Sequence, residues 1–268
     1  MPPGVHVVLF CLRQLHRPAP ESHKGDNGRL LIIAGSKKYH GSVVLAATMA
    51  SKLVDLVYLA TTPDNFSLIK KVRERLAEFI YIAPRELPAT LTEVDAVLIG
   101  PGLLPNAATR RLVQRLLRQW PDKKIILDAA ALRVLDPRWL PRQCIITPHA
   151  GEFRALFRLA PTPPNVQALS RRYPGVIVLK GRVDYLAQGG RLWYNTAGNA
   201  GMTKGGTGDV LAGLIAALAT KNDPLLAAQA GVYVNGLAGD KLYKKVGYHY
   251  SASELMPEIR KILSRFDY

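Results

Sequence analysis

Gly205, Gly206, Thr207, Gly208 and Asp209 put three glycines and a carboxylate within five consecutive residues. Glycines let the backbone take positive φ and approach a ligand with no Cβ in the way. An Ala/Leu-rich run follows at once. A helix beginning at Thr207 to Val210 would turn its unpaired N–H groups and positive dipole end back into the loop. Amides and dipole together make an anion site, most simply for phosphate. Asp209 is then a carboxylate at the mouth of a site built for anions. It stands where a general base could reach the hydroxyl that attacks or leaves a phosphoryl group, a role worth roughly 10²- to 10⁴-fold in rate. The plainer alternative is an acidic residue that the dipole favours in a first helical turn. Thr203 and Lys204 add a hydroxyl and a cation, or are simply solvated.

Such a loop needs a scaffold, and the hydrophobic pattern predicts one. GRLLIIAG (28–35) is a continuous apolar run bounded by glycines, as for a strand buried on both faces. Similar runs recur as LVYLATT (56–62), FIYIA (79–83), VDAVLIG (94–100), KIILD (124–128), CIIT (144–147) and GVIVLKG (175–181). Helical spacing falls between them at 42–53, 64–79, 107–119 and 130–135. DYLAQGGRLWYN reads as a hairpin turning at 188–190. Helices over 207–219, 225–245 and 251–264 close the chain. Residues 1–23 read as an N-terminal arm leading into the first strand, its segment LRQLHRPAPESH (12–23) proline-containing and polar. The alternation predicts an α/β fold in one domain, 1–268, with a mostly parallel central sheet and helices on both faces.

In such sheets ligands bind at the carboxyl ends of the strands. The residues just past those ends are Gly35–Gly41, the glycine turn at Gly100–Gly102, Asp128, Thr147–Glu152 with His149, and Lys180–Gly181. Asp128 has an alternative as the cap of the next helix, His149 as a residue fixing its turn, and Lys180 as a solvated strand-end lysine. Composition narrows the class of protein. With 48% hydrophobic residues, the 268-residue chain can bury a large α/β core. Val5–Leu12 has no basic stretch before it and no cleavage pattern after it, so neither a secretory signal nor a membrane span is expected. Two cysteines far apart suit a reducing cytoplasm rather than a disulfide or cysteine–metal framework. No metal-ligating residue is assigned. The formal charge of +16 favours anionic partners, but the basic residues are dispersed as pairs such as Lys70-Lys71 and Arg110-Arg111. They read as a solvated surface, and nucleic acid is not an expected partner.

The same stretches resemble the ADP/ATP-dependent NAD(P)H-hydrate dehydratases of the ribokinase-like superfamily. HKGDNGRLLIIAGSKKYHG looks like that family's opening motif. DAVLIGPGL, IILDAAAL, IITPHAGEF, VIVLKG and GNAGMTKGGTGD follow in the family's order, with AGVYVNGLAGDKL and YSASELMPEI like its C-terminal helices. The resemblance runs from about His23 to Arg260. It implies dehydration of the S epimer of hydrated NADH and NADPH, NAD(P)HX, with ADP or ATP as co-substrate and Mg²⁺ bridging phosphates. The products would be NAD(P)H, phosphate and AMP or ADP. Carried across, Ser42, Gly100, Gly102, His149 and Asp209 would line the NAD(P)HX site, with Asp209 the catalytic base. Lys180, Gly181, Arg182, Val183 and Asp184, with Gly205, Gly206, Thr207 and Gly208, would contact the adenine nucleotide. Homo-oligomers and functional pairing with a separate NAD(P)HX epimerase are implied too.

Four positions depart from the family's usual pattern: Ala130 replaces a second Asp, Leu104 a glycine, Ser42 an alanine and Asn235 a histidine. They bear on rate and substrate preference and leave Asp209 and its loop untouched. Two other readings stay open. One is a ribokinase-like small-molecule kinase with the same glycine-loop chemistry; the other is a basic nucleotide- or nucleic-acid-binding protein without catalysis.

Overall fold

The computed structural model describes residues 4–6, 10–61, 73–74 and 76–266. The chain runs β1 (Val5–His6), α1 (Phe10–Arg13), β2 (Arg29–Ile33), α2 (His40–Ala50), β3 (Leu56–Ala60) and β4 (Ile80–Tyr81). It continues through α3 (Leu87–Glu93), β5 (Ala96–Ile99), α4 (Ala107–Gln119), β6 (Lys124–Leu127), α5 (Ala130–Val134) and β7 (Cys144–Ile146). After α6 (Ala150–Phe157), α7 (Pro163–Arg172) and β8 (Val176–Leu179) comes the ribbon β9 (Asp184–Gln188) and β10 (Arg191–Asn195). Three helices end the fold: α8 (Thr207–Lys221), α9 (Pro224–Val246) and α10 (Ala252–Leu263).

The strands form one 10-stranded sheet in the order β1-β10-β9-β8-β7-β6-β5-β2-β3-β4. β9 is antiparallel to β8 and β10; the other pairs are parallel. Strand side chains alternate between faces. Leu30 and Ile32 therefore join a core under α2, α8, α9 and α10, while Leu31 and Ile33 join one under α3 to α7. Burial on both faces explains why β5 to β8 are almost wholly apolar in sequence. The winding reverses between β2, which leads outward to β3, and β5, which leads the other way to β6. A crevice opens at the carboxyl ends of strands where their order reverses in this way.

Three differences from the sequence reading stand out. The helix expected at 64–79 lies for the most part outside the described residues, and 76–79 are not helical. The arm takes up secondary structure that the sequence does not announce: Val5 and His6 pair with Trp193 and Tyr194, and α1 buries Cys11 and Leu12. A two-residue strand is too short to show a period in sequence. Helices α3 and α7 escape a reading by pattern because prolines obscure them; both carry Pro in the first turn, where no N–H partner is needed. Among the described residues no helix is long and apolar enough to cross a membrane.

Candidate active site

The glycine loop meets α8 as its composition demands. Gly206, at φ 95°, is the residue before the helix, and Thr207 begins it. The Thr207 hydroxyl donates to the carbonyls of Met202 and Lys204 at 2.7 and 2.9 Å, closing the turn. A Cβ on Gly205 would meet nothing within 4 Å, and one on Gly208 would stand 3.8 Å from Lys180 Nζ. Gly205 faces open space, and Gly208 faces Lys180 at ordinary contact distance. Gly206 does neither: its Cβ would meet Leu45 Cδ1 at 2.5 Å, so it is a packing and conformational glycine.

Asp209 lies in the first turn of α8 and lines a cavity of about 460 Å³. The cavity walls include Tyr39, Ser42, Gly102, Leu104, Ala130 and Glu152, so it sits at the β2/β5 switch point. Burial pushes the Asp209 carboxyl up to about 6. A hydrogen bond from Ser42 opposes that rise, Asp128's charge adds to it, and Lys180's charge opposes it. The result is a carboxylate ionised at neutral pH yet far more basic than an ordinary aspartate.

Three strand ends build a charged pair beside it. Lys180, just past β8, donates to Asp128 Oδ1 at 2.8 Å, and the Thr147 hydroxyl donates to the same oxygen at 2.9 Å. Asp128 follows β6 and is 3% exposed. Burial alone would lower Lys180, but Asp128's charge and hydrogen bond outweigh it and hold the ammonium above its ordinary value. Asp128 does not cap α5: Ala129 precedes that helix, and no side chain caps it.

The remaining expected residues divide. Gly102 lines the cavity beside Ser42. Gly100 does not; a Cβ there would lie 1.9 Å from the Asp128 carbonyl, so its bareness lets β5 and β6 end close together. His149 caps α6, its Nδ1 accepting from the N–H groups of Gly151 and Glu152 while Glu152 accepts from His149 N–H. With Nδ1 accepting, the neutral ring carries its proton on Nε2. Between β8 and β9, Gly181 N–H donates to Asp184, whose other oxygen accepts from Asn195. Burial pushes Asp184 up to about 6 against those bonds. Arg182 is exposed and donates to the Thr196 carbonyl. Thr203 donates to the Ala200 carbonyl, and Lys204 turns to the Tyr248 carbonyl over the Tyr250 ring.

Sequence reasoning assigns no role to Thr147 or Glu152; their signal is the position just after β7. The departures also find places. Ala130 and Leu104 line the cavity, Ser42 lines it with Asp209, and the buried Asn235 amide oxygen has no partner among the described residues.

Comparison with known proteins settles the lineage. The sequence profile described as NAD(P)H-hydrate dehydratase matches residues 30–261. The chain belongs to the NAD(P)H-hydrate dehydratase family. One relative of this dehydratase family, the ADP-dependent (S)-NAD(P)H-hydrate dehydratase of Nitrosopumilus maritimus, is 34% identical, with 92% of each chain covered. The bifunctional NAD(P)H-hydrate repair enzyme Nnr of Methanocaldococcus jannaschii is 37% identical over 95% of this chain but only 52% of its own. The chain thus spans about half the length of the bifunctional relatives it matches. Among solved structures, the ADP/ATP-dependent NAD(P)H-hydrate dehydratase of Bacillus subtilis, co-crystallised with ATP/Mg²⁺, superposes with a TM-score of 0.84 at 27% identity, covering 98% of this chain and 99% of that one. A ribokinase-like superfamily protein of Enterococcus faecalis gives a TM-score of 0.88 at 25% identity, covering 98% and 96%. The fold is ribokinase-like.

Proposed function

We propose that this chain uses ADP or ATP to dehydrate the S epimer of NAD(P)HX, with Asp209 as the catalytic base. The observation that carries the reading is the Asp209 carboxylate, desolvated in the wall of the cavity with Ser42 beside it, while Gly205 stands open in the loop ahead of it and Gly208 faces Lys180 from the first turn of α8. The cavity receives the hydrated ring, with Ser42 and Gly102 in its wall; His149, which is not part of that wall, caps the helix that carries the lining residue Glu152. Gly205, Gly208 and the backbone of Lys180–Val183 receive the nucleotide phosphates, with Lys180 supplying positive charge. Gly206 and Asp184 shape those two segments from behind, and Gly100 shapes the turn before Gly102.

Asp209 takes the proton of the ring hydroxyl as that oxygen attacks the terminal phosphoryl group and the bond from that phosphorus to its bridging oxygen breaks, releasing AMP from ADP or ADP from ATP. The N–H groups at the start of α8 hold the charge that develops on the transferred phosphoryl oxygens. Release of phosphate breaks the ring C–O bond, the ring nitrogen supplies the electron pair, and loss of a ring proton leaves NAD(P)H. Among the described residues no group of three or more His, Cys, Asp or Glu is placed to hold a metal ion. Mg²⁺ would be carried on the nucleotide's own phosphates, with Asp209 the cavity carboxylate beside them, since Asp128 is committed to Lys180 and Thr147, and Glu152 to the His149 N–H. Bound there, Mg²⁺ would neutralise phosphate charge.

The same reading makes the protein a cytoplasmic homo-oligomer of one domain, 1–268 with the arm at 1–23. It also pairs the protein with an NAD(P)HX epimerase, which the bifunctional names of its relatives support. Incubation with S-NADHX and ADP or ATP tests it. NADH absorbance returns with one or both nucleotides; no recovery with either removes the assignment.

A further inference from the structure

The glycine loop is anchored from behind. Asp240, on α9, accepts from Gly198 N–H at 2.9 Å through one oxygen and from Asn199 Nδ2 at 3.1 Å through the other. Asn199 Oδ1 in turn accepts from Gly201 N–H at 3.0 Å and from the Tyr250 hydroxyl at 2.7 Å. Each atom of the pair meets only complementary partners, which fixes the orientation of the amide. Bare backbone lets the loop lie directly on α9: a Cβ on Gly236 would meet the Ala197 carbonyl at 2.5 Å, and one on Gly239 the Met202 sulfur at 2.4 Å. Beyond this clamp Thr203, Lys204 and Gly205 are exposed, and the stretch leading into α8 is tied further on by the Thr207 hydroxyl to the Met202 and Lys204 carbonyls and by Lys204 to the Tyr248 carbonyl.

We propose that Asp240 and Asn199 are positioning residues for the nucleotide site, holding the loop 198–206 so that the amides at the start of α8 are aimed before phosphate arrives. The proposal rests on the adenine-nucleotide reading of that loop. Neither residue touches the ligand. Their effect is preorganisation: a loop already in place loses less freedom on binding, and its donors need no reorganisation as charge develops.

The donor–acceptor pattern supplies a test that bulk or burial would not. Asp240→Asn sets an NH₂ against the Asn199 NH₂. The swap Asn199→Asp with Asp240→Asn restores all four bonds. In it the amide now on α9 accepts from Gly198 N–H and donates to the carboxylate now on the loop, whose other oxygen accepts from Gly201 and Tyr250. Affinity for ADP is measured by calorimetry, with melting temperature and NADPH affinity in parallel. We expect Asp240→Asn to weaken ADP at least tenfold with NADPH affinity unchanged, and the swap to return ADP binding to within threefold of wild type. ADP affinity that stays within twofold in Asp240→Asn, or that the swap fails to recover, overturns the clamp. If Asp240→Asn does not fold, the swap and Tyr250→Phe carry the test: threefold or greater weakening in Tyr250→Phe supports the clamp, and unchanged affinity overturns it. Wild-type dehydration of S-NADHX is scored separately. ADP binding without dehydration removes the dehydratase reading alone; dehydration with an indifferent Asp240→Asn removes the clamp alone.

Discussion

Lys180 Nζ lies 2.8 Å from Asp128 Oδ1, and this pair joins the ends of two strands that are not neighbours, with Thr147 from the strand between them completing it. Asp128 is 3% exposed, so its charge depends on its partner. Lys180→Met removes the cation and leaves a buried carboxylate uncompensated, at a cost of about 3–5 kcal/mol. Adding Asp128→Asn to that variant should recover a substantial part of the loss. Urea unfolding of the wild type, both single variants and the double variant checks this. Losses that simply add would show that the two side chains do not depend on each other.

Asp209→Asn keeps the shape of the side chain and removes the base. Turnover should fall by about 10² or more, with ADP affinity within a few-fold of wild type. For the wild type, kcat/KM should fall as pH drops through about 6, where burial has pushed Asp209. Steady-state kinetics and an ADP titration on the same preparation separate the two effects. Full turnover in the variant would remove Asp209 from the chemistry.

The same shift has a consequence for stability, with a sign opposite to that of a salt-bridged aspartate. Asp209 is raised in the fold to about 6 from an ordinary 3.8, so the folded state binds the proton more tightly than the unfolded chain. Stability is therefore lost as pH rises from about 4 to 6, and above that range the buried charge is a standing cost. Asp209→Asn should raise stability at pH 8, by on the order of 1–2 kcal/mol after allowing for partial solvent access, and by nearly nothing near pH 3.5. Urea unfolding at the two pH values measures the difference. Equal effects at both would mean the carboxylate is well solvated.

Ser42 stands where the family usually has alanine; it lines the cavity with Asp209, and its hydroxyl opposes the rise of the carboxyl's pKa. That influence favours the ionised form, so Ser42→Ala should move the acid limb of the pH profile to higher pH. At pH 8 turnover should change little. An unmoved limb would mean the hydroxyl does not hold the carboxylate in solution.

Much of this arrangement is legible in sequence, and the rest is hidden for identifiable reasons. β5 to β8 announce themselves as unbroken apolar runs because both their faces are covered, and the glycine run before α8 marks the loop. What sequence does not reveal is which residues meet. Asp128 and Lys180 are 52 residues apart, and only the neighbour order β6-β7-β8 brings them together. His149 reads either as a substrate-site residue or as a residue fixing its turn, and the start of α6 shows the second, with Nδ1 occupied by two backbone N–H groups. The glycines are the hardest to separate by sequence. Gly205, Gly206 and Gly208 look alike there, yet the first faces open space, the second Leu45 and the third Lys180.

That division predicts opposite outcomes within one loop. Gly206 sits at φ 95°, where an L side chain is strained, and its Cβ would press on Leu45 and on Ala252 at 3.1 Å. Gly206→Ala should therefore destabilise by roughly 1–3 kcal/mol, and Gly206→Val by more. Gly208 has ordinary helical backbone, so Gly208→Ala should stabilise α8 by about 0.5–1 kcal/mol. Its new methyl would project toward Lys180 Nζ, into the space assigned to phosphate, so ADP affinity should fall about tenfold even as stability rises. Urea unfolding with ADP calorimetry on both alanine variants reads the two signs. If Gly208→Ala bound ADP as tightly as the wild type, the phosphate would have to lie elsewhere than between α8 and Lys180.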